Sequence, residues 1–138
     1  MNFTQAIASG FCNYANSSGR ASRSEYWYWT LFTLIIDGVA LLLDAAIFPD
    51  NPWAPIGIAA ALWLLLPNVA VSMRRLHDIN RTGYWVLLIV TIIGIIPLLY
   101  WALQPGTIGD NDYGPDPLEG GTNRRSSARV ATSAKLVN

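Results

Sequence analysis

Hydrophobic and polar residues along this chain separate into blocks. Three long apolar stretches stand out: "YWYWTLFTLIIDGVALLLDAAIF" at 26–48, "APIGIAAALWLLLPNVAVSM" at 54–73 and "YWVLLIVTIIGIIPLLYWAL" at 84–103. Each has about the 20 residues that an α-helix needs to cross a hydrocarbon layer of roughly 30 Å. The pattern predicts three transmembrane helices, an all-α membrane bundle. Ahead of them Phe3, Ile7 and Phe11 recur at i, i+4 and i+8, with Tyr14 continuing the stripe loosely. That spacing predicts a short helix lying on the inner membrane surface, with core packing as the rival reading. Behind them, residues 105–117 are dense in turn formers and 118–138 read as a flexible tail, so the membrane domain is 1–117.

Composition makes a soluble fold implausible. Of 138 residues, 52% are hydrophobic, 13% are charged and six are tryptophan; soluble domains carry roughly 25% charged residues. Three helices this apolar, among so few charges, have no polar shell. The first stretch begins too late and runs too long for a cleavable signal peptide. Formal net charge is zero, and the basic residues of the tail are sparse, so no nucleic-acid partner is expected. Cys12 and His77 are the only cysteine and histidine, which excludes an intramolecular disulfide and makes a zinc cluster unexpected. The acidic run at 110–112 resembles the start of a calcium loop, but the glycine and distant glutamate fall at the wrong spacing. No nucleophile elbow or phosphate loop is present. The expectation is a protein without a cofactor or an enzymatic activity.

Charge placement predicts orientation. Arg20 and Arg23 precede the first stretch, and Arg74, Arg75 and Arg81 lie between the second and third. The connection "PDNPW" has no basic residue, and Asp110, Asp112 and Asp116 follow the third stretch. By the positive-inside rule the N-terminus and the arginine loop at 74–83 face the cytoplasm of a bacterial inner membrane. With three straight crossings, the C-terminal segment falls on the periplasmic or extracellular side. Arg124, Arg125, Arg129 and Lys135 argue weakly against that, but lie too far from the last stretch to weigh much. "RSEYW" at 23–27 and "RTGYW" at 81–85 nearly repeat, each opening an apolar stretch, as two helices entering from one side should. Ser22 with Glu25 fits a capping box.

Three motifs carry a resemblance. "GRASRSEYW" (19–27), "RRLHDINRTGYW" (74–85) and "PGTIGDNDYGPDP" (105–117) resemble, in order, the signature blocks of the domain-of-unknown-function family 805, small bacterial inner-membrane proteins. Tyr84 stands where that pattern commonly has tryptophan, and Asp112 where it usually has a basic residue. The resemblance covers 11–117 and implies a multi-pass membrane protein; it implies no activity.

Seven residues are candidates for chemistry or structure. Asp37 and Asp44 lie inside the first apolar stretch, where a charge costs about 2.5–3.5 kcal/mol. Seven positions apart, they fall on one helical face. Asp37 is expected to be neutral and packed inward, donating to the Trp63 carbonyl that Pro67 frees or pairing with Asn68. Asp44 is expected near the outer interface, level with Tyr100 and Trp101. Arg74 and Arg75 should close the second helix, where positive charge suits the dipole. His77 and Asp78 should sit in the turn, and Arg81 should meet lipid headgroups. Three functions follow: assembly or interaction in the membrane, with a homo-oligomer or another membrane protein as partner; an oligomeric conduit or exporter using Asp37 and Asp44; or, more weakly, a headgroup binder or enzyme using the arginine loop.

Overall fold

The computed structural model describes residues 1–118 and 133–134. The flexible tail expected at 118–138, with its basic residues, lies outside them except for Leu118, Ser133 and Ala134. The described residues form α1 (Phe3–Cys12), α2 (Arg23–Ile47), α3 (Pro55–Asp78), a 3-10 helix (Gly83–Val90) and α4 (Ile95–Leu103).

Caps set the helix starts. The Asn2 side chain accepts from the Gln5 amide at 2.9 Å while the Gln5 side chain accepts from the Asn2 amide at 3.0 Å, a complete capping box on α1. At α2 only half of the expected box forms. Ser22 Oγ accepts from the Glu25 amide at 3.3 Å, but the Glu25 carboxylate turns away to Ser9 Oγ at 2.7 Å and Arg74 at 2.8 Å. The start of α3 borrows its cap from α2: Asp44 accepts from the amides of Ile56 at 2.9 Å and Gly57 at 2.7 Å. A buried carboxylate at a helix N-terminus satisfies free amides and meets the positive end of the dipole.

Residues 48–54 turn the chain, so α2 and α3 run as an antiparallel pair, with lengths of about 37 and 36 Å at 1.5 Å per residue. Trp29, Leu64 and Val71 form their buried core, with Phe11, Tyr26, Phe32 and Ile36 packed against it. Trp29 Nε1 donates to Asn68 Oδ1 at 2.8 Å. The stripe on α1 faces this core: the Phe11 ring lies 5.4 Å from those of Trp29 and Trp63, so packing is at least as much its role as lying on a surface. Pro67 sits inside α3 and frees the carbonyl of Trp63; the Tyr14 hydroxyl donates to it.

The third apolar stretch is not one helix. Its 3-10 half is eight residues and its α half nine, about 16 and 14 Å long. Each is roughly half a membrane thickness. Gly94 is at the bend, where a Cβ would run into the Leu88 carbonyl. Pro97 stands in the first turn of α4, where its missing N–H costs nothing but a helix arriving from residue 93 would clash. The bend satisfies its own backbone: Thr91 Oγ1 donates to Leu88 O at 2.8 Å and accepts from the Gly94 amide at 3.2 Å. Hydrocarbon offers no other partner. Both ends of this hairpin lie together, with Arg81 4.5 Å above the Trp101 ring and Trp85 against Trp101 at 5.6 Å. The straight third helix expected from the sequence is therefore replaced by a helical hairpin.

Candidate functional site

All three sequence motifs meet at one end of the bundle. Arg20, ahead of α2, sends its Nε to Asp78 Oδ1 at 3.1 Å and its Nη2 to the same oxygen at 3.0 Å. Arg75 donates to the other oxygen of Asp78. Arg74 Nη1 pairs with Glu25 Oε1 at 2.8 Å. These five groups are all buried, none more than 8% exposed.

The C-terminal motif closes over them. Arg20 also donates to the carbonyls of Thr107 at 2.5 Å and Gly109 at 2.6 Å. Arg75 reaches the carbonyl of Gln104, and the Thr107 amide donates to Asp78 O at 2.7 Å. Gly106 lies so close to the Asp78 carboxylate that a Cβ there would overlap it. Asn111 Nδ2 donates to His77 O at 2.8 Å, and the Tyr113 ring stacks on His77 at 4.2 Å. His77 Nδ1 is 3.1 Å from Gly19 O. Asp116 accepts from the amides of Leu118 at 2.9 Å and Gly109 at 3.0 Å, and these bonds, the Leu118 amide first, hold its carboxyl below the usual carboxylate range.

This geometry corrects several expectations. Residues 105–116 lie at the arginine end, not the opposite one, because the hairpin returns the chain. Arg74 and Arg75 are not offered to headgroups; they are buried and paired. Asp78 is a two-arginine hub that closes α3, with His77 beside it, rather than part of an open turn. Arg81 covers Trp101. Asp44 is 4% exposed and spent on the α3 cap, while Asp37 is exposed, with no partner among the described residues. The two share a helical face but not an environment, and Asn68 and the Trp63 carbonyl are taken by Trp29 and Tyr14. Arg20 and Glu25 were legible as motif members but not as ion-pair partners. Their partners lie 58 and 49 positions away, beyond any local spacing rule.

The cluster also has open valences. Arg74 Nε and Nη2 and Arg75 Nε are buried without an acceptor. No group of three or more potential metal-ligating side chains occurs among the described residues.

Two long apolar helices remain largely uncovered: only 17% of the most apolar part of α2 and 22% of that of α3 is buried. A soluble core helix would be enclosed. Exposed apolar helices, an internally bonded hairpin and ion pairs gathered at one end define a helical membrane protein. The chain belongs to the family described as "Protein of unknown function (DUF805)", whose model matches residues 14–115. It is similar to the inner membrane protein YhaI of Escherichia coli (strain K12), 38% identical over 109 residues that cover 78% of this chain and 91% of that protein. Inner membrane protein YhaH of the same strain is also 38% identical over 109 residues, covering 76% and 89%. The uncharacterized protein YiiR of that strain is 31% identical over 90 residues, covering 64% and 58%. No solved structure matches.

Proposed function

We propose that this chain is an inner-membrane assembly protein, working through a contact made inside the bilayer by the α2 face that carries Asp37. The observation that carries the reading is Asp37 itself. It lies mid-way along α2, exposed and without a partner among the described residues. A carboxyl facing lipid costs about 2.5–3.5 kcal/mol, which a polar contact from a neighbouring chain offsets. Every basic residue described, Arg20, Arg23, Arg74, Arg75 and Arg81, belongs to the end where the three motifs meet. That end is assigned to the cytoplasm by the positive-inside rule.

A conduit built on Asp37 and Asp44 together is not favoured, since Asp44 is committed to a helix cap. Native mass spectrometry of the protein in mild detergent tests the assembly reading. The wild type should appear as a fixed homo-oligomer or in complex with another membrane protein. Asp37→Leu should dissociate it while leaving the monomer folded, and Asp37→Asn should retain it in part. Identical masses for wild type and Asp37→Leu would refute the proposal.

A further inference from the structure

Between the hairpin and the α2–α3 pair lies a cavity of about 170 Å³. Tyr26, Ser72 and Arg75 form its polar end; Val86, Ile89 and Leu98 are among its apolar walls. Arg75 is 2% exposed. Its two terminal nitrogens are engaged with Asp78, Ala102 and Gln104, whereas its Nε is buried with no acceptor. A buried guanidinium donor without an acceptor is costly, and native proteins leave few of them. Negative charge is also in the minority among the buried groups: the buried arginines Arg20, Arg74 and Arg75 are matched by the two buried carboxylates of Glu25 and Asp78 in the same cluster. Ile89 and Leu99 also line the cavity and are 61% and 49% exposed, so it borders the apolar outer surface.

From this we infer that the cavity binds the head of a single acyl chain ending in one negative charge. The anion takes the Nε–H of Arg75 beside Ser72 and Tyr26. A cavity of roughly 150 Å³ holds a benzene-sized body, so about the first six carbons fit inside. The rest of the chain leaves past Ile89 and Leu99 into the bilayer. The shared chemistry is an anionic head on one apolar chain, supplied either by a free fatty acid or by a single-chain anionic lysophospholipid. The site is independent of Asp37 and of the assembly it serves.

The test is photo-crosslinking of purified protein in non-ionic detergent with a diazirine-bearing fatty acid, followed by mapping of the labelled peptide. Label should fall on residues 72–76 or 86–102. Decanoate should displace the probe at concentrations at least roughly tenfold below those needed for decanol, which has the same chain without the charge. Displacement by lysophosphatidylglycerol in preference to decanoate would assign the anion to a lysophospholipid, and the reverse to a free acid. Leu98→Trp fills the cavity while leaving residue 75 an arginine and should abolish labelling. Arg75→Lys keeps the charge, removes the Nε–H and should erase the preference for decanoate over decanol. Should that variant not fold, the decanol comparison and Leu98→Trp still decide. Labelling elsewhere, equal displacement by decanol and decanoate, or undiminished labelling of Leu98→Trp would each overturn the inference.

Discussion

Replacing Asp78 by asparagine is the sharpest test of the buried cluster. The side chain keeps its shape but loses its charge, and one of its two acceptor atoms becomes a donor. In the wild type, one carboxylate oxygen accepts from Arg20 at 3.1 Å and the other accepts from Arg75. Asparagine can serve one arginine with its remaining oxygen but turns an N–H toward the other. Two guanidiniums, each buried, then lose the only carboxylate they share. Removing one partner of a buried ion pair costs about 3–5 kcal/mol, because the surviving charge stays desolvated. Asparagine retains one acceptor, so the lower end, about 3 kcal/mol, is expected here. That is a loss of at least about a hundredfold in the folded-to-unfolded ratio. Unfolding of the protein in dodecylmaltoside micelles by added SDS, followed by tryptophan fluorescence, measures it. Asp112→Asn supplies the control: an exposed acid whose loss should change stability by no more than about 0.5 kcal/mol. A cost for Asp78→Asn below about 1 kcal/mol would mean that the cluster is hydrated and that the two arginines do not depend on Asp78.

Three other outcomes follow from the structure. With Cys12 replaced by serine, thiols introduced at Ser18 and Asp112 should both be labelled by an impermeant maleimide from the same side of oriented vesicles, and one at Asn51 only from the other; labelling of positions 18 and 112 from opposite sides would restore a straight third crossing. Gly106→Ala places a methyl group on the Asp78 carboxylate and should cost about 1–3 kcal/mol by overpacking, read in the same SDS titration, whereas alanine at exposed Ile108 should cost much less. The Asp116 carboxyl is held below its usual range by the amides of Leu118 and Gly109, so its contribution is complete above the ordinary aspartate pKa and is lost as pH falls through the lowered value. Limited proteolysis of the 105–117 segment should therefore accelerate on acidification below about pH 4, and Asp116→Asn should flatten that dependence; a profile unchanged by Asp116→Asn would contradict the assignment.

The apolar blocks made α2 and α3 legible, because burial in lipid writes a long uniform signal. The hairpin was not legible: its 20 residues are as apolar as a crossing helix, and hydropathy is blind to direction. The cues were present in Gly94 and Pro97, yet both residues also occur inside continuous membrane helices. Charge asymmetry correctly grouped Arg20 with Arg74 and Arg75 but treated them as surface charges, since linear position does not reveal that Glu25 and Asp78 lie opposite. The aspartates show the same limit. Asp37 and Asp44 are equivalent by helical spacing, and only the turn that brings Ile56 and Gly57 against Asp44 separates a cap from an unpartnered carboxyl.

The hairpin of the third apolar stretch has a consequence for how this chain enters a membrane. With the arginine end on the cytoplasmic side, as proposed above, no described residue after α3 has to be translocated, because the third apolar stretch leaves and returns at the same end of the bundle. Among the described residues, the whole hydrophilic cargo carried across is the turn at 48–54, with one aspartate and no basic residue. The α2–α3 hairpin can therefore partition as a unit. The ion pairs then assemble on the side of synthesis, as the last motif folds back over arginines that never left it.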